Sequence, residues 1–340
     1  DLLSIASGDF TVGELTEDPA NTADALTIDQ DEYTELEYVL TPTINVADEN
    51  LCLRVSNSGT DLDTYLRVAK MVVRFDPFFG AINFNLGADI ALVAGTTTTV
   101  YATGTVTDLN GYADLQIGSS TMYTTTAGAA CAADNNNCYI ESTDSQCSFT
   151  SCSGNSCVLS CSADFFFHAD ATDTDGANEW WAFLEVEDAA GGYDFGTSPS
   201  QEVMTLRALD VTNAINYGSL AASTPLASST TGVTNASTTV ENLGNVPIDI
   251  DVTGTDLSDG YSSTIPASEQ IFATSTFDYD ACVTCTTLDT APISYEVDLA
   301  KPITTIPATE DDVFWGIAVP FGVSSNPHTG GVLFTPISDS

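Results

Sequence analysis

A period of two is the feature that leaves this chain least freedom. Short runs of alternating apolar and polar residues recur along it, separated by Gly, Asn, Asp and Pro, and helical periodicity is almost absent. Alternation puts successive side chains on opposite faces of a strand, so the pattern predicts strands joined by turns. "VYATGTV" (Val100 to Val106), "EWWAFLEVE" (Glu179 to Glu187), "PIDIDVTG" (Pro247 to Gly254) and "ISYEVDL" (Ile293 to Leu299) all read as strands. In "PIDIDV" the phase turns Ile248, Ile250 and Val252 to one side and leaves Asp249 and Asp251 to water. The C-terminal "DDVFWGIAVPFG…TGGVLFTPIS" reads as the final hairpin of a sandwich. Trp315, Ile317 and Val319 face inward, and a Gly- and Pro-rich connection leads to a closing strand from Val332 to Ile337. The adjacent Trp180 and Trp181 must point to opposite faces: one belongs to a core, the other is covered by a loop or anchors a sugar or partner.

Two breaks divide the pattern, one near residue 76 at "RFDPFFGAI" and one near 207 at "RALDVTNAINYGS". The expected fold is all-β: a short, incomplete β module over residues 1–75, then two sandwiches over 76–207 and 208–340, a size that suits each. "TTVYATGTVTDLNGYADL", "DNNNCY" and "HADATDTDGANEWWAFLEVED" resemble the Ig-like modules of large predicted surface proteins of uncultured prokaryotes. "STTVENLGNVPIDIDVTGTDL" with "DDVFWGIAVPFG" is similar to the sandwich module that often accompanies them. The resemblance covers residues 76 to 340. It implies two tandem Ig-like domains and a cell-surface location, and carries no assigned chemistry.

Charge narrows the partners. There are 48 acidic residues against six Lys plus Arg, a net charge of −42. Such a chain repels nucleic-acid phosphates and anionic lipid and attracts divalent cations. No apolar run has the length of a membrane span. Asp1 reads as the end left when a signal peptide is removed.

Nine cysteines in a Thr-, Ser- and Asn-rich background point to an oxidising compartment. "CSFTSCSGNSCVLSC" places a turn, "SGNS", so that Cys152 faces Cys157, with Cys147 and Cys161 further out. Cys131 with Cys138 would close the "AADNNN" loop, and Cys282 with Cys285 stand in "DACVTC". Disulfides are expected here rather than zinc, because His168 and His328 are the only histidines and neither stands beside the cluster. Cys52 is the odd thiol, buried or paired between subunits. "NAS" at Asn235 is an N-glycosylation sequon.

No GxSxG, HExxH or Gly-rich phosphate loop occurs, and nothing selects one pair of carboxylates for glycoside hydrolysis. An enzyme is not expected. Calcium is the chemical expectation: Asp108, Asn110 and Asp114 in "DLNGYAD", and Asp170, Asp173 and Asp175 in "DATDTDG", set oxygen ligands at alternating positions around turns. The same spacing also makes ordinary Asx turns.

The reading that follows is a non-enzymatic extracellular structural protein that assembles with its own copies, head to tail, into a surface filament or lattice. The alternatives are a monomeric adhesin or glycan-binding surface protein, and an extracellular polysaccharide hydrolase. Two features favour assembly. Arg54, Arg67, Lys70 and Arg74 crowd into one stretch while the later modules are acidic, which suits contact between unlike patches. The N-terminal stretch alternates at Leu3 and Ile5, then at Phe10 and Val12, and either adds as a donor strand to a neighbouring subunit or folds back as an edge strand of its own module.

Overall fold

The computed structural model describes residues 76–340 apart from 175, 213, 221–224, 227–235, 306–308 and 340. Before residue 76, and at 225–226, it describes only the backbone pairing of short strands. These strands are β1 (Leu2–Ile5), β2 (Phe10–Val12), β3 (Leu26–Ile28), β4 (Tyr33–Glu35), β5 (Val55–Asn57) and β6 (Leu66–Val68). They pair as β4-β1-β6 and β3-β2-β5, all antiparallel. In the single chain, the two stretches singled out for donation are therefore each the middle strand of a sheet made by their own chain. The side chains of Leu3, Ile5, Phe10, Val12 and Arg67, and Cys52, Arg54, Lys70, Arg74, Asp175 and Asn235 altogether, lie outside the described residues.

Residues 76 to 206 form a sandwich of β7 (Phe78–Phe84), β8 (Thr97–Thr107), β9 (Leu115–Thr124), β10 (Cys138–Ser142), β11 (Cys147–Ser153), β12 (Ser156–Phe166), β13 (Trp180–Asp188) and β14 (Tyr193–Thr197). One sheet runs β11-β12-β8-β7 and the other β10-β9-β13-β14, both antiparallel. The period of two fills the space between them. Val100, Ala102 and Val106 of β8, Leu159, Cys161, Ala163 and Phe165 of β12, and Trp180, Ala182, Leu184 and Val186 of β13 are all buried in one cluster. Phe165 lies 4.7 Å from Trp180 and 4.2 Å from Tyr139, ring centre to ring centre. Each such pair adds about 0.5–1.5 kcal/mol beyond the burial of its area. Trp180 gives its indole N–H to the carbonyl of Asp170 at 2.9 Å. Trp181, on the other face, is half-buried and gives its own to Thr125 Oγ1 at 3.1 Å.

The hairpin β11–β12 carries two disulfides, Cys152–Cys157 beside the turn and Cys147–Cys161 in register further along. Cys131–Cys138 closes the loop before β10, and Cys282–Cys285 closes a turn in the following module.

Residues 208 to 339 form the next sandwich. Its strands are β15 (Leu209–Thr212), β16 (Pro225–Leu226), β17 (Ala236–Asn242), β18 (Ile248–Gly254), β19 (Leu257–Ser258), β20 (Thr264–Ile265), β21 (Gln270–Ala273), β22 (Thr286–Thr287), β23 (Ile293–Leu299), β24 (Glu310–Ala318) and β25 (Val332–Ser338). One sheet runs β15-β17-β24-β21-β22 with β16 also on β24, and the opposing sheet runs β23-β18-β25. Trp315, Phe272, Ile248, Ile250 and Val252 fill the core between them.

This topology corrects two expectations. The strands β24 and β25 are not a hairpin: β24 pairs with β17 and β21, while β25 pairs with β18 in the other sheet. The long Gly- and Pro-rich connection carries the chain from one sheet to the other, which a tight turn cannot do. Asp249 does not face water either; it is 0% exposed. Its strand is the middle one of three, and a bulge in β23 brings backbone N–H groups onto its carboxylate.

Hydrogen bonds fasten the two sandwiches together. Asn245 accepts the N–H of Leu206 on Oδ1 at 2.7 Å and gives its amide to the carbonyl of Met204 at 3.1 Å. Lys301 reaches Asp170 Oδ1 at 2.6 Å and Asn136 Oδ1 at 3.1 Å. Among the described residues no helix is long and apolar enough to cross a membrane.

Candidate metal centre

The end of the first sandwich breaks the rule that its core is apolar. Strand β8 turns Val100, Ala102 and Val106 inward, and the next residue in that phase is Asp108. Strand β13 turns Trp180, Ala182, Leu184 and Val186 inward, and its next residue in phase is Asp188. Asp114 stands just before β9, in phase with the buried Gly118, Ser120 and Met122. Three strands from two sheets thus deliver an aspartate to one place.

The carboxylates of Asp108, Asp114 and Asp188 each put an oxygen within 4.8 Å of the others. Asp108 is 0% exposed and Asp188 3%. Local folding supplies part of what they need. Asp108 Oδ1 accepts the N–H of Asn110 at 2.8 Å in an Asx turn, and Gly111 follows at φ 106, in the left-handed half of backbone space that glycine takes freely. Asp188 Oδ1 accepts the N–H groups of Ala190 and Gly192 at 2.7 and 2.8 Å. The second oxygens, Asp108 Oδ2 and Asp188 Oδ2, and also Asp114 Oδ1, are buried with no hydrogen-bond partner.

Gly192 leaves the site room. A side chain there would collide with Asp76 Oδ1 and lie 3.0 Å from Asp188 Oδ2, so a fourth carboxylate stands beside the three. Burial pushes Asp108 up to about 6; the Asn110 N–H opposes the rise, and the negative charges of Asp114 and Asp188 add to it. A cation among these oxygens relieves both desolvation and mutual repulsion. The ligand set is oxygen only, which suits a hard cation; calcium accepts six to eight oxygens in irregular geometry, carbonyls and waters included.

The structure brings together Asp108 and Asp114 from the loop read in the sequence, and uses Asn110 through its backbone. It adds Asp188, which the spacing within "DLNGYAD" cannot reach. The signal for Asp188 was present all the same: it continues the inward phase of "WWAFLEVED" beyond its last apolar residue. The second loop is arranged differently. Asp170 is paired with Lys301 and Asp173 Oδ1 accepts the hydroxyl of Thr205 at 2.6 Å, and neither belongs to a group of three acidic side chains among the described residues. No family model matches this chain, and no curated protein matches it in sequence.

Proposed function

We propose that this chain is a non-enzymatic extracellular structural protein whose first sandwich is closed at one end by a calcium ion held by Asp108, Asp114 and Asp188. The observation that carries this reading is the convergence of three partnerless carboxylate oxygens at the end of an otherwise apolar core. Buried like charges are costly unless a cation lies between them. The four disulfides support an oxidising, extracellular setting. Assembly with further copies at a cell surface is supported by the charge pattern, since four of the six basic residues fall between 54 and 74 and the remainder of the chain is strongly acidic.

Calcium titration of the EDTA-treated chain tests the ion. Bound calcium should raise stability by about 2.7 kcal/mol at a hundred times its dissociation constant. The substitution Asp108→Asn keeps an oxygen for the Asn110 N–H and removes a charge. Combined with Asp188→Asn, it should bind one calcium fewer by isothermal titration and, in EDTA, melt above the wild type because the repulsion has gone. Equal stoichiometry in the double variant and the wild type would refute the site. Electron microscopy of the native material tests assembly: ordered fibres or sheets support it, and dispersed single particles favour the adhesin.

A further inference from the structure

The second sandwich holds an acidic cluster to which the first ion gives no role. Asp249 lies on β18, the middle strand of its sheet, and is 0% exposed. Its Oδ1 accepts the N–H groups of Val297 and Asp298, both at 3.0 Å, while its Oδ2 is buried without a partner. Opposite it, the register of β23 steps from Ile248–Leu299 to Ile250–Tyr295, so that residues 296–298 face one residue of β18. Asp298 takes φ 50 in this bulge. On the other side, β25 ends with Ser338 paired to Ile248, and Asp339 follows directly. Four carboxylates from three strands therefore meet, those of Asp249, Glu296, Asp298 and Asp339, each with an oxygen within 4.8 Å of the rest.

We propose that these four residues form a second divalent-cation site, for calcium, at the end of the β23-β18-β25 sheet. The inference stands independently of the first site. Desolvation explains why the cluster suits a cation: Asp249 Oδ2 is buried without a hydrogen-bond partner, and three further carboxylates each bring an oxygen within 4.8 Å. Lys301, the basic residue closest in sequence, is committed to Asp170 and Asn136. Glu296, Asp298 and Asp339 are exposed, so an ion here is open to solvent on one side and retains water. That makes it an exchangeable site, with a dissociation constant of about 10⁻⁴–10⁻³ M, the range of extracellular calcium modules. Because Asp249 lies on β18, Glu296 and Asp298 on β23, and Asp339 directly after β25, the bound ion ties β25 to β18 and β23.

The test uses the full chain, stripped with EDTA and titrated with calcium chloride. The variant Asp298→Asn/Asp339→Asn changes two exposed residues, and asparagine tolerates the left-handed backbone at 298, so far-ultraviolet circular dichroism should match the wild type. It should bind one calcium fewer, or bind it at least about tenfold more weakly. Hydrogen exchange supplies the local readout. Calcium should slow exchange of the β25 amides, those of Val332 to Thr335, Ile337 and Ser338, in the wild type and in Asp108→Asn/Asp188→Asn, but not in Asp298→Asn/Asp339→Asn. The same calcium uptake and the same β25 protection in that last variant as in the wild type would overturn the proposal, as would β25 amides indifferent to calcium in all three proteins.

Discussion

His168 is 1% exposed, with its ring 5.5 Å from that of Phe166 and 5.2 Å from that of Phe167. Its Nδ1 lies 3.2 Å from Asn136 Oδ1, which only accepts, so Nδ1 carries the proton and the buried Nε2 has no partner. Burial holds the imidazole below its ordinary pKa, the Lys301 ammonium adds to this, and the carboxylates of Asp134 and Asp170 pull more weakly the other way. The sign follows. The unfolded chain takes up a proton near pH 6.5 that the folded chain refuses, so this group's contribution is intact above that pH and is lost as pH falls through it. Replacement by glutamine should flatten the fall in urea midpoint between pH 7.5 and 5.5 relative to the wild type. Parallel pH profiles would show that His168 titrates alike in both states. In the sequence His168 was legible as a histidine at a strand end, with Phe166 and Phe167 beside it; Asn136 and Lys301, which act on its ring, are brought from elsewhere in the chain.

At the scale of elements, the β11–β12 hairpin shows how a local signal becomes a covalent one. Its turn at Gly154 and Asn155 faces Cys152 to Cys157, and a register shift between Thr150 and Ser153, with Ser151 at φ 53, leaves Cys147 directly opposite Cys161. The bridges differ in the chain they constrain: the inner spans 5 positions and the outer 14. Loop-closure entropy gives about 2 kcal/mol for the inner and about 3 kcal/mol for the outer. Alanine pairs at each site should follow that order in denaturant melts, with the outer pair losing packing as well, because Cys161 is 0% exposed in the core. A larger loss from the inner pair would contradict the entropic account. The turn and the cysteine spacing were readable because hairpin closure involves few residues. The separation of β24 from β25 was not, because either sheet accepts a strand of the same alternation.

Across the whole molecule, one buried amide joins the Lys301 contacts in holding the two sandwiches together. Asn245 is 1% exposed and serves Leu206 and Met204 through its side chain and Leu206 again through its N–H. Losing the two side-chain bonds leaves the Leu206 N–H and the Met204 carbonyl, both part-buried, without these partners, at a cost of about 1 kcal/mol each. The substitution Asn245→Ala should therefore loosen the joint, and the exposed Arg207 within it offers the readout. Trypsin should cleave after Arg207 several-fold faster than in the wild type; an unchanged rate would place the rigidity elsewhere. The same contrast of scales runs through the protein. Period-two alternation was enough to assign β8, β13, β18 and β23 and to turn Trp315 inward, since alternation is a property of each strand alone. It left open which of Trp180 and Trp181 faces the core, and it missed the burial of Asp249, which the bulge in β23 decides. What tertiary structure alone decided was company: Asp188 beside Asp108 and Asp114, Asp339 beside Asp249, Lys301 against Asp170. Those meetings depend on which strands neighbour one another and where each ends, and alternation says nothing of either, because every strand of a sandwich carries the same period.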